Sequence, residues 1–184
     1  MRVGPAIDEQ WVVEVAQAML DRAAAVQPAQ AAAERRVFDV LRQAYFADPK
    51  RALAGGDRGG GQLKFGLPGV EELLTPVLLN ASAGVLAHLA SLGVLNVAVA
   101  STRGVRRLLG LEPGAPRVDR AAPTRTVADA PVEDSTPALT ADQWIEVRSI
   151  VTRALVRHGR MSPQRAELLA AAIIGDGFTE RRPE

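Results

Sequence analysis

At 184 residues, with 47% apolar and 23% charged side chains, the chain can hold one ordinary domain or a small domain with an appendage. Its 22 basic and 21 acidic side chains leave a formal charge of +1 with no basic block, so nucleic acid is not an expected partner. Cysteine is absent, which excludes disulfides, thiol nucleophiles and thiolate zinc sites. Aromatic residues are only 4%, so an alanine-rich helical core is expected rather than an aromatic β core.

Near the N-terminus, Asp8, Glu9 and Glu14 interrupt what would be the apolar stretch of a secretory signal, and a cytoplasmic location is expected. Residues 7–26 read as an amphipathic helix. Asp8 is its N-cap, and Trp11, Val15, Met19, Ala23 and Val26 recur at helical spacing. A second helix runs from Ala29 to Ala47, with Val37, Phe38, Leu41 and Tyr45 on its apolar face and Glu34 and Arg35 assigned to the other side. Asp48-Pro49 stops it. The glycine-rich run 55–61 lacks a Gly-Lys-Ser/Thr ending, so it reads as a connector rather than a phosphate-binding loop.

Between Glu72 and Arg103 there is no charged residue. A long helix is expected from about Val70, with Glu71 and Glu72 serving its positive N-terminal end. Leu74, Leu78, Ala81, Val85, Leu89 and Leu92 form a nearly heptad-spaced seam that also takes in His88. Ala83, Gly84, Ala87 and Ser91 add a small-residue stripe that permits close helix approach. Gly93 marks a break, and residues 95–100 fit either a short strand or more helix.

Two readings of this segment stay open. As a membrane span it is long enough, and Arg103, Arg106 and Arg107 follow as a cytoplasmic flank would, making the protein peripheral or integral to the inner membrane. Against that, Asn80, His88 and Asn96 lie inside it. A hairpin folded near Ser91 would leave arms of about 21 Å, short of the ~30 Å hydrocarbon layer. As a packing helix it would meet the rest of the chain, a second copy or a protein partner.

Residues 112–137 carry five prolines and no periodic apolar face, and read as a flexible linker. The expected organisation is all-α, with a helical module over 1–111, this linker, and a two-helix unit over 138–184. In the last unit Thr140 and Gln143 fit a capping box, Trp144, Val147, Val151, Ala154 and Leu155 form one face, and Gly159 is read as the left-handed cap. Ser162-Pro163 starts the final helix. Such a pair is too small to bury a core alone, so it should dock on the N-terminal part, another copy or another protein.

Nothing in the pattern carries catalysis, a metal or a cofactor. His88 reads as a core imidazole, and His158 as a ring at a helix C-terminus, where the dipole favours its cation. Asn80-Ala81-Ser82 matches a glycosylation acceptor only by chance. Trp11 and Trp144 are the candidate anchors, of the core or of an interface. Residues 65–69 leading into 73–79, and the ending from Leu139 to Ala171, resemble small actinobacterial proteins of conflict or defence systems, over about half the chain. The resemblance implies an effector-associated component encoded beside caspase-like or other proteases, and it transfers no functional residue. The expected function is a non-enzymatic adaptor or regulatory subunit that oligomerises through the apolar helix. The alternative is a membrane-associated or membrane-disrupting effector.

Overall fold

The computed structural model describes residues 8–54, 73–95, 102–111 and 139–174. Among them every regular element is helical: α1 (Glu9–Ala23), α2 (Pro28–Ala47), α3 (Pro49–Leu53), α4 (Leu74–Ser91), α5 (Thr102–Leu108), α6 (Ala141–Arg157) and α7 (Pro163–Ile174). The all-α expectation holds. The run 55–61, residues 96–101 and the linker 112–137 lie outside the described residues, as do Glu71 and Glu72.

α4 is the hub. It packs against α1, α2, α3 and α6, while α7 packs on α6 and α1, and α5 on α1. One apolar cluster runs through all of this, from Val12 on α1 to Ile174 on α7. The C-terminal pair therefore shares the core of the N-terminal helices, the first of the three docking options its size left open.

Local chemistry sets the ends of the elements. The Asp8 carboxylate accepts from the Gln10 amide at 2.9 Å and starts α1. Pro28 occupies the first turn of α2, where a missing N–H costs nothing. Thr140 and Gln143 form the expected reciprocal box at α6, with contacts of 3.3 and 2.8 Å. α4 and α5 end alike. Gly93 (φ +70°) and Gly110 (φ +59°) take the left-handed conformation, and the amides of Val94 and Leu111 reach back to the carbonyls of Leu89 and Arg106 at 3.1 and 2.7 Å. The Arg22 side chain donates to the Gly110 carbonyl, tying the end of α5 to α1.

The end of α6 differs from expectation. The left-handed residue there is Arg160 (φ +45°), not Gly159. Gly159 is needed for space instead, because a Cβ at that position would lie 2.7 Å from the Leu155 carbonyl oxygen.

α2 departs further from the reading of its sequence. Its buried positions are Ala31, Glu34, Phe38, Leu41 and Tyr45, a 3-4-3-4 spacing that places Glu34 in the apolar face rather than opposite it. Glu34 is fully buried. Its carboxylate accepts from the amides of Leu74 and Thr75 at 2.8 and 2.6 Å, from the Thr75 hydroxyl at 2.6 Å and from the Gln30 side chain at 2.9 Å. The N-terminal end of α4 thus lies at Leu74, after an extended Leu73, and α2 supplies an acid to it.

The donor accounting at that end nearly closes. A helix leaves its first four N–H groups without partners. Here Glu34 takes those of Leu74 and Thr75, and Pro76, next in line, has none to offer. Leu73 cannot act as a side-chain cap, so a carboxylate from another helix does the work.

Removing that carboxylate strands two buried amides and a hydroxyl. Glu34→Ala is expected to lower the unfolding free energy by roughly 2–5 kcal/mol in urea titration, with Glu34→Gln losing less because it keeps one acceptor. A loss below about 0.5 kcal/mol, the range of ordinary surface changes, would contradict this placement.

Candidate functional site

Leu74, Leu78, Ala81, Val85 and Leu89 are all buried, facing the chain's own helices. Burying a Leu or Val side chain is worth roughly 1.5–3 kcal/mol, so the seam is a main source of core stability. Leu92, the last seam position, is exposed, just before the turn at Gly93. His88 is half-buried, and its Nε2 is enclosed without a hydrogen-bond partner, as is Nε of Arg106 on α5. The small-residue stripe has a definite use: at Gly84 a Cβ would stand 3.1 Å from Cγ2 of Ile150, so glycine lets α6 approach α4. Ser82, fully buried on the same helix, donates to the Leu78 carbonyl at 2.7 Å and lies 3.5 Å from the Met19 sulfur.

Trp11 and Trp144 are half-buried and pack against the core cluster. Other large apolar side chains are left uncovered, among them Val26 beyond α1, Val40 on α2 and three on α6 and α7. Leu168 on α7 is 67% exposed and Ile145 on α6 is 56% exposed, with Val156 further along α6. Ile145 and Val156 stand about three helical turns apart on one face, and Ser149 and Thr152 between them make an uncharged row bordered by Arg148 and Arg153.

A second polar assembly surrounds Glu34. With the Gln27 amide in the orientation that satisfies both its nitrogen and its oxygen, its oxygen accepts from Arg165 on α7 at 3.1 and 3.3 Å. Its nitrogen donates to Gln30 at 2.7 Å. Gln30 donates onward to Glu34. Sequence reading missed this set. The available signal was spacing, since Gln27, Gln30 and Glu34 recur at three and four residues, in phase with Phe38 and Leu41.

Among the described residues no three His, Asp or Glu side chains gather at one point. α4 is, by length and composition, apolar enough to cross a membrane, though most of it is covered by the chain itself. None of the family models, curated proteins or solved structures compared with this chain matches it.

His158 caps α6, but its imidazole pKa is lowered from 6.5, first by desolvation and then by the neighbouring Arg157 charge. These effects outweigh the helix dipole, which alone would favour the cation. The folded chain binds this proton less readily than the unfolded one. The ring's stabilising contribution is therefore complete above about pH 6.5 and declines as the pH falls through and below that value. NMR titration should place the His158 midpoint below 6.5, and His158→Gln should flatten the stability loss between about pH 7 and 5. A midpoint at or above the unperturbed value would contradict the assignment.

Proposed function

We propose that this protein is a non-enzymatic interaction module, an adaptor or regulatory subunit, whose contact surface is the outer side of the α6–α7 pair. The observation that carries the reading is the exposure of Leu168 and Ile145 on the two helices of one short unit. Taken as parts of one contiguous apolar patch, these side chains carry the mark of a partner surface. The uncharged stripe from Ile145 to Val156 suits an apolar contact with a second copy or another protein. α4 serves this function as scaffold: its seam faces inward, and its close contact with α6 at Gly84 holds the pair in place. The resemblance to defence-system components supports a role beside a bacterial effector, with the protein regulating or recruiting rather than cutting.

The test is the double variant Ile145→Asp with Leu168→Asp. Both sites are exposed, so unfolding free energy should change by less than about 1 kcal/mol. Light scattering at micromolar concentration should show the wild type as an oligomer or complex and the variant with its partner lost. A wild type that is monomeric and free of any co-purifying protein would overturn the reading.

One observation favours a second reading, that of a membrane-associated or membrane-disrupting effector. α4 has 18 uncharged residues, about 27 Å of helix, close to a hydrocarbon thickness. Under the lead reading the full chain stays at the bottom of a flotation gradient with anionic liposomes and releases no trapped dye. Flotation with α4 protected from added protease would instead support the membrane reading.

A further inference from the structure

The polar assembly around Glu34 has a direction. Arg165 donates to Gln27, Gln27 donates to Gln30, and Gln30 donates to Glu34. Every link points its donor toward the carboxylate, so the two amide dipoles align between a cation on α7 and an anion on α2. Glu34 in turn accepts from the first amides of α4. Among the described residues the ion pairs are Arg35 with Asp21, Arg42 with Asp39, and Arg153 with Glu146, so none is made by Glu34. Arg165 is the cation that reaches it, through two side-chain amides.

We infer that docking of α7 and capping of α4 are coupled through this relay, so that the position of the C-terminal helix sets how firmly the first turn of α4 is held. The physical basis is satisfaction. Gln27 is 9% exposed and depends on Arg165 for its oxygen. When Arg165 withdraws, the buried amide must turn or find another donor, and either change disturbs Gln30 and then the carboxylate. Hydrogen-bond chains of this kind strengthen link by link, so losing one end weakens the other. The coupling is a property of the fold and does not depend on the interaction reading above. If a partner engages α6 and α7, the relay carries that event to α4.

Amide exchange provides a direct readout. The first amides of a helix ordinarily exchange freely, having no intrahelical acceptor. Here Leu74 and Thr75 should be protected, because Glu34 accepts from them. In the full-length chain, Arg165→Leu is expected to speed exchange at Leu74 and Thr75 about tenfold while leaving Val85, Leu86 and Leu89 in mid-α4 unchanged. Gln164→Leu, at the adjoining exposed position, should change neither set. Gln27→Leu supplies a second break in the same chain and should reproduce the local effect if Arg165→Leu fails to fold. Unchanged exchange at Leu74 and Thr75 would overturn the coupling. So would equal acceleration throughout the bundle, which would reduce the role of Arg165 to general stability.

Discussion

The carboxylate of Glu34 sits in the core without a directly bonded cation, and the start of α4 supplies what a cation would. Two backbone amides and a threonine hydroxyl converge on it, backed by the positive end of the helix dipole. A buried carboxylate without such partners would be strongly destabilising. A helix start without an acceptor would be nearly as poor, since Leu73 offers no cap. Each feature answers the deficit of the other. That reciprocity fixes where α4 begins, where it lies against α2, and so which way its seam points.

From that fixed point the rest follows by packing. α4 is apolar on nearly every side and needs cover all round. α1, α2 and α6 provide it with their amphipathic faces, and α7 closes over α6 and α1. Small side chains set the distances. Gly84 admits Ile150, and the buried Ser82 satisfies its own hydroxyl on the Leu78 carbonyl, so it needs no partner from another helix. The left-handed glycines at 93 and 110 end α4 and α5 by the same hydrogen-bond pattern, and Val94, Leu95 and Leu111 just beyond them still pack on the core.

Much of this was legible in the sequence. Helical spacing located α1, α2, α6 and α7, and the capping residues Asp8, Thr140 and Ser162 stood at their starts, because these signals are local. Glu34 was not legible. A glutamate next to Arg35 reads as solvent-facing, and what holds it inside is a helix start 40 residues later in the chain. The spacing from Ala31 to Phe38 put it in phase with the apolar face, but composition argued the other way. The direction of the Leu74–Leu89 seam was hidden for a related reason. A heptad-like pattern shows that a surface is buried without showing by what, and here the chain's own helices occupy it. Gly159 and Arg160 show the limit at single-residue scale, where the glycine serves the close approach to the Leu155 carbonyl and its neighbour takes the left-handed conformation.

The functional proposal rests on what the bundle leaves over. With the seam through Leu89 facing inward and both tryptophans half-buried against the core, the two most exposed large apolar side chains among the described residues, Leu168 and Ile145, lie on α7 and α6, and the polar relay joins that pair to the start of α4. All of this depends on the contact between Glu34 and Thr75. A double-mutant cycle with Glu34→Ala and Thr75→Val, read by urea denaturation, isolates it. The side-chain bond is short and charge-assisted, so the coupling energy should be about 1.5–3 kcal/mol. Additivity within about 0.5 kcal/mol would mean that the Thr75 hydroxyl does not bond the Glu34 carboxylate, contradicting the placement of Glu34 at the start of α4.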